Sequence, residues 1–288
     1  MTQRNPLLDR RALFASGAAA ALLAASGVSA GGVPRTGGRL RIALSGAARS
    51  DSWTIGDGLF MQVARQGLVF DTLTEVAADG TLRAELATQW HTTDGGREWL
   101  FDLRKSVPFH DGSELTAKDV VASLAPLFGT RAKITAAGKH SLQINLDAPD
   151  AGLPLLLSRP EFVIRPAHAP EAGIGTGLYQ SKSFKPGQQL LTKRVKAHYK
   201  DMEAGWFDEV ELMSIPSEEV RAQALGEYLV DAVDLTDASL LADLPDMIVL
   251  PHGRNAVQAL SRDLSHSSLV SNLRPFDNLR AAERWWFT

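Results

Sequence analysis

Residues 68–124 read LVFDTLTEVAADGTLRAELATQWHTTDGGREWLFDLRKSVPFHDGSELTAKDVVASL, a run of short extended pieces joined by tight corners and closed by a helix. The corners are Asp79-Gly80, Asp94-Gly95 and Asp111-Gly112. Asp and Gly tolerate positive φ there, and an Asp carboxylate can accept from the backbone just ahead of it. Between corners the pattern is period two. Trp99, Phe101 and Leu103 fall on one phase and Glu98 and Asp102 on the other, as in a strand with one buried face. At Thr116 the period changes. Thr116 with Asp119 spells a capping box, and Val120, Val121 and Leu124 supply a helical apolar stripe.

The same reading extends outward in both directions. Upstream, Arg39–Leu44 alternates polar and apolar and predicts a strand with one buried face. Residues 46–57 form a polar loop interrupted by Trp53 and Ile55, and 59–69 predict a short helix that Gly67 ends. Downstream, Ser141–Leu146 alternates cleanly, 151–157 predict a short helix, and 189–195 and 208–215 predict strands. Ser217 can N-cap a helix carrying Val220, Ala224 and Leu225. A second short helix follows Thr236, and 247–250 predict a strand. No period of 20 to 50 residues repeats, which argues against a solenoid. Short strands interspersed with helices give an α+β fold of mixed sheets with flanking helices.

Composition narrows the function. With 44% hydrophobic residues in 288 the chain can bury a core, and it contains no Cys. Disulfides, thiolate metal sites and Cys nucleophiles are therefore excluded. The formal charge of −3 offers no electrostatic footprint for nucleic acid. The first 30 residues have their own character. Arg4, Arg10 and Arg11 give a positive start partly offset by Asp9, an Ala-rich stretch follows over 12–27, and Val28-Ser29-Ala30 makes a small-residue cleavage site. That apolar stretch is shorter than the roughly 20 residues of a membrane helix. Arg10-Arg11 followed by Ala-Leu-Phe resembles a twin-arginine leader. The expectation is a cleaved signal peptide over 1–30 and a periplasmic protein.

Asp71-Thr72-Leu73-Thr74-Glu75, Leu86-Ala87 with Trp90, the Trp99-to-Lys105 strand, Phe109-His110-Asp111-Gly112 and Leu115-Thr116-Ala117 with Asp119-Val120-Val121 together resemble the family 5 solute-binding proteins of ABC importers, the dipeptide, oligopeptide and nickel binders of the periplasm. The likeness continues at Gly175-Thr176-Gly177-Leu178-Tyr179, where the family has Pro in place of Leu178. It extends through Ser183-Phe184-Lys185-Pro186-Gly187, Arg194 and Tyr199, Asp208-Glu209-Val210-Glu211, 224–234 and Arg274-Pro275-Phe276-Asp277-Asn278. It implies a type II-like periplasmic binding lobe over 31–260, with 261–288 as the hinge and start of a second lobe that is largely absent. It implies a peptide-like solute, importer membrane subunits as partners, and no cofactor. Ligand contacts implied by the resemblance are Ser45, Trp53, Asp71, Thr72, Gly175, Thr176, Gly177 and Tyr179. A half-formed cleft also makes a homodimer or a partner supplying the second lobe an expected alternative. Trp285, Trp286 and Phe287 would then present an apolar docking patch.

Catalytic readings of the same residues are weak. His110-Asp111 sits on a turn, where the imidazole is expected to satisfy its own corner. His91, Glu85 and His110 lack the spacing of H-E-x-x-H. Gly173-x-Gly175-x-Gly177 is followed by no helix pattern and is no dinucleotide fingerprint. A G-x-S-x-G match at Gly27 to Gly31 straddles the cleavage site. No nucleophile and base come together in the sequence, so a binding protein rather than an enzyme is expected.

Overall fold

The computed structural model describes residues 36–76, 81–244, 247–252 and 256–261. The leader, the Asp79-Gly80 corner, Arg274 to Asn278 and Trp285 to Phe287 lie outside the described residues.

The strand Arg39–Leu44 (β1) lies within a seven-stranded mixed sheet. It pairs in parallel with Glu209–Ser214 (β10) on one side and Ala232–Leu235 (β11) on the other. β10 continues antiparallel to Gln189–Arg194 (β9), and β9 to Tyr179–Lys185 (β8). Beyond β11 come Ala256–Ser261 (β13) and then Met247–His252 (β12), also antiparallel. The expected alternation holds at Leu40, Ile42 and Leu44, with Arg39 exposed and Arg41 half-buried on the other phase, and departs from it at Ala43. Leu40, Ile42 and Leu44 enter one core, while Ala43 enters another with Ala222, Leu225 and Val233. Burial on that second face is confined to Ala43, while Arg39 and Arg41 reach water and pair with Glu209, Glu211 and Asp231.

The chain between β1 and β8 builds two smaller sheets. Leu59–Arg65 (α1) is short, and Gly67 (φ 82°) turns the chain after it. Thr74–Val76 (β2) pairs with Leu82–Ala84 (β3). Ala87–Thr92 (β4), Glu98–Leu103 (β5), Ala132–Gly138 (β6) and Ser141–Leu146 (β7) then form an antiparallel sheet in the order β4-β5-β7-β6. The alternation reads as expected. Trp99, Phe101 and Leu103 are buried, and Trp99 faces Ile144 and Phe101 faces Leu142 in the ladder. The helix Ala117–Phe128 (α2) covers this sheet with Val120, Leu124 and Phe128. Its capping box forms in full: Oδ2 of Asp119 accepts from the Thr116 amide at 2.9 Å and from its hydroxyl at 2.7 Å.

Leu153–Leu156 (α3) and the 3-10 turn Pro160–Phe162 close this excursion. Glu218–Gly226 (α4) packs on the large sheet, and Oγ of Ser217 accepts from the Val220 amide as expected. The short helix after Thr236 is a 3-10 turn, Ala238–Leu241. Among the described residues no helix is long and apolar enough to cross a membrane. The sheets and helices together form the α+β lobe that the pattern predicted.

Candidate functional site

The loop that leaves β1 folds back on itself. A Cβ on Gly58 would come within 1.8 Å of the Gly46 carbonyl oxygen, so the two ends of the loop pinch together only because Gly58 lacks a side chain. Inside, Asp51 accepts from the Ala48 amide at 2.7 Å, and Oγ of Ser52 accepts from the amides of Thr54 and Ile55. These local bonds hold Trp53 against the body of the lobe, edge-on to Phe70 with centroids 5.8 Å apart and tilted on Phe184 at 4.8 Å. A cavity of about 580 Å³ opens beneath this loop. Trp53, Ile55, Leu127 and Val163 give it apolar walls, and Arg65 and Arg165 give it charge.

Arg65 is the last residue of α1, and its Nη2 donates to the Ile55 carbonyl at 2.9 Å. Arg165 is carried by the segment after Pro160–Phe162. That segment is tied to α2, where Ser123 Oγ accepts from the Arg165 amide and Asp119 accepts from the Ala167 amide, each at 2.9 Å.

A second polar cluster lies under the Gly173-to-Gly177 turn. Thr176 Oγ1 donates to Oδ2 of Asp71 at 2.9 Å. Nδ1 of His198 accepts from the Lys200 amide at 3.1 Å, so the ring proton sits on Nε2, which reaches the Thr176 carbonyl at 2.9 Å and lies 3.6 Å from Asp71. Burial opposes the charge of Asp71. Hydrogen bonding from His198, the Lys200 charge and the Thr176 hydroxyl outweigh it, so the carboxyl stays well below the usual carboxylate range. Lys200, itself buried, bridges Glu75 at 3.1 Å and Glu85 at 2.5 Å. Thr72 donates both its hydroxyl (2.6 Å) and its amide (3.2 Å) to Glu85. The Tyr199 ring stacks on His198 and lies under the Arg104 guanidinium, 4.6 Å from the ring centroid. Burial, followed by the charges of Asp71, Glu85 and Glu75, pushes its phenol well above its ordinary value.

His110 acts differently from the sequence reading. Its amide donates to the Gly175 carbonyl, Nδ1 accepts from the Gly175 amide, and Nε2 meets the Gly177 carbonyl at 2.8 Å. The imidazole satisfies the Gly175-to-Gly177 turn instead of its own corner, whose Asp111 is bonded by Ser113 and His168. Burial pulls the His110 ring below its ordinary value. The three glycines are explained by packing. A Cβ at Gly173 would lie 2.4 Å from Trp53 Nε1, at Gly175 1.8 Å from the Val69 carbonyl oxygen, and at Gly177 2.3 Å from that of Leu68. The turn lies flat on the 68–70 backbone.

The eight expected contact residues therefore fall in four places. Trp53 lines the cavity beneath the loop. Asp71, Thr72, Gly175, Thr176 and Gly177 meet in the buried polar cluster, and Thr176 and Gly177 also border a second cavity of about 540 Å³ with Arg104 and Tyr199. Ser45 lies at the end of β1, where its amide and hydroxyl donate to Asp234, while Tyr179 is buried and donates to the Phe207 carbonyl. The sequence reading missed Arg65, Arg165, His198 and Lys200. Among the described residues no group of three or more His, Cys, Asp or Glu is placed to hold a metal ion.

Comparison with known proteins places this lobe. A sequence model of the bacterial extracellular solute-binding proteins, family 5 Middle, matches residues 81–281. The HTH-type transcriptional regulator SgrR of Salmonella typhi is 36% identical over 138 residues, which is 44% of this chain and 24% of that protein. SgrR of Photorhabdus laumondii subsp. laumondii is 32% identical over 160 residues, 51% of this chain and 28% of that protein. Among solved structures, AgaA from A. tumefaciens R10 in complex with agropinic acid superposes with a TM-score of 0.67 at 24% identity, covering 74% of this chain and 48% of that one. The periplasmic binding protein DppA from Helicobacter pylori in complex with the peptide STSA gives 0.65 at 21% identity, covering 75% and 51%. These structural likenesses are of fold. The chain spans about a quarter of those curated relatives and about half of the solved chains.

Proposed function

The chain belongs to the bacterial extracellular solute-binding proteins of family 5, and from that premise we propose that it captures a peptide-like small solute without chemistry and passes it to the membrane subunits of an ABC importer. The observation that carries this reading is the cavity beneath the loop after β1. At about 580 Å³ it is within the usual size of small-molecule sites, and it combines apolar walls with a few polar groups, as such sites do. It also opens past the carboxyl end of a strand flanked by two parallel neighbours, the side on which sheets of parallel strands commonly bind ligands.

Trp53 is the expected contact that lines this cavity. Asp71, Thr72 and the Gly175-Thr176-Gly177 turn belong to the buried polar cluster, while Ser45 bonds Asp234 and Tyr179 bonds the Phe207 carbonyl. His110 and His198 both bond backbone carbonyls of the 175–177 turn, which gives these two rings a packing role. Two of the solved neighbours are complexes with agropinic acid and with the peptide STSA. A periplasmic setting, reached by the twin-arginine route through Arg10-Arg11, completes the reading.

Thermal unfolding of the purified protein against di- to oligopeptides, an opine and nickel tests it. A ligand that binds only the folded state stabilises it by RT ln(1 + [L]/Kd), about 2.7 kcal/mol at a hundredfold excess over Kd. A saturable rise in Tm with one class supports capture. No shift with any member of the panel overturns it.

A further inference from the structure

Two positive charges in the cavity beneath the loop have no anion in contact among the described residues. Nε of Arg65 and Nε of Arg165 are both shut off from water with no hydrogen-bond partner. Beyond the single bond from Arg65 to the Ile55 carbonyl, neither guanidinium forms an ion pair or side-chain hydrogen bond among the described residues. The acids that share the cavity act on Arg65 from a distance and form no ion pair with it. Asp51 is turned to the Ala48 amide, and Asp57 and Glu161 stand exposed at the rim. Burial lowers the affinity of both guanidinium groups for their protons, and Arg165 lowers that of Arg65 further, against weaker opposing charges from Asp51, Glu161 and Asp57 on Arg65 and from Glu171 on Arg165. Partly desolvated charges cost free energy unless they are paired, and among the described residues neither guanidinium has an ion pair.

We propose that Arg65 and Arg165 form the seat for a carboxylate of the bound solute. The proposal rests on the solute-binding reading of this cavity and names the class of solute: a small molecule with a free carboxylate and an apolar body. Guanidinium presents a planar fork that matches a carboxylate with two parallel charge-assisted bonds. Trp53, Ile55 and Leu127 supply the surface for the hydrocarbon part. The two arginines come from different layers. Arg65 ends the helix beside the large sheet, and Arg165 is fixed through Ser123 to the helix over the four-stranded sheet. A carboxylate between them would tie the two layers together at the mouth of the cavity.

Calorimetric titration tests the seat with matched pairs. The dipeptide Leu-Phe is compared with Leu-Phe amide, and succinate with succinamide, which separates a peptide terminus from a free organic acid as the source of the carboxylate. Each is titrated into the wild type, Arg165→Gln and the exposed control Arg159→Gln. Arg165 makes no side-chain bond that the fold depends on, and unfolding in urea verifies that the variant is folded. The expected result is binding of at least one carboxylate form about tenfold or more tighter than its amide. That preference is lost in Arg165→Gln and kept in Arg159→Gln, with one charge-assisted pair setting the scale. Equal affinity for acid and amide, or an unchanged preference in Arg165→Gln, overturns the seat and leaves solute capture standing if any peptide or opine still binds. Failure of every peptide, opine and acid to bind the wild type overturns both.

Discussion

Thr176 Oγ1 donates to Asp71 Oδ2 at 2.9 Å, joining positions 105 residues apart in the chain. The bond fastens the Gly173-to-Gly177 turn to the segment that leads into the four-stranded sheet. Behind it the Ile164 amide donates to the Asp71 carbonyl at 2.9 Å, and the Gly177 amide donates to the Val69 carbonyl at 3.0 Å. The same strip of backbone thus carries the turn on one side and the approach to Arg165 on the other.

Thr176→Val keeps the shape of the side chain and removes the donor. Asp71 is buried and stays ionised, so it loses one of the bonds that hold its charge. The expected destabilisation is about 1–3 kcal/mol, read from urea unfolding at neutral pH. A loss near zero would show that His198 and Lys200 suffice alone.

Acid should weaken the lobe in two steps. Folding lowers the proton affinity of His110, so its contribution is complete above the ordinary histidine value of about 6.5 and is lost as pH falls below it. Asp71 is also held low, and its contribution is present above about 3.9 and is lost as pH falls further. His110→Gln removes the first step. Its urea midpoint should be lower than wild type at about pH 7.5 and change less between about pH 7.5 and 5.5. If wild type and variant fall in parallel over that interval, His110 is not the group responsible.

Lys200 holds together two buried carboxylates, Glu75 and Glu85. Lys200→Met leaves both without their shared cation, and breaking a buried pair from one side costs about 3–5 kcal/mol. Adding Glu85→Gln removes one stranded charge and should recover part of that loss. A double mutant no more stable than Lys200→Met would show that the Lys200–Glu85 contact carries little of the energy.

Local structure was legible in the sequence; long-range partnership was not. The Trp99-Phe101-Leu103 and Leu142-Ile144-Leu146 alternations, the Thr116–Asp119 capping box and the Ser217 cap depend on residues a few positions apart, and each forms as read. The alternation of β1 holds at Leu40, Ile42 and Leu44, but the burial of Ala43 on its other face was not legible, because the neighbours β10 and β11 arrive from far down the chain. No local pattern announces a parallel partner. The site followed the same rule. Trp53 stood out as an aromatic in a polar loop, but Arg65 closes an unremarkable helix and Arg165 sits between a 3-10 turn and Pro166, so nothing nearby marks either as a cavity residue. Lys200 lies in a polar run beside Lys196 and Asp201, which gave no sign that it would be buried. His110 was placed on the right turn and given the wrong partner, because the turn it serves lies in the 173–177 segment.

The glycine turn separates packing from conformation. Gly175 carries no positive φ, yet a Cβ there would fall 1.8 Å from the Val69 carbonyl oxygen and 2.7 Å from the Phe70 ring. Those neighbours are backbone and a fully buried ring, so the turn itself must lift. Lifting it stretches the Thr176–Asp71 bond and the contacts to His110. Gly175→Ala should therefore cost at least the 1–3 kcal/mol typical of an overpacked core, or about 3 kcal/mol where those bonds are lost as well. Gly112 is the reverse case, with φ of 88° and nothing within 4 Å of its Cβ. Gly112→Ala should cost only the strain of a left-handed residue, about 1–2 kcal/mol. Urea unfolding of both variants gives the order directly. If Gly112→Ala proves the more damaging, backbone conformation rather than close packing sets the requirement for glycine at these turns.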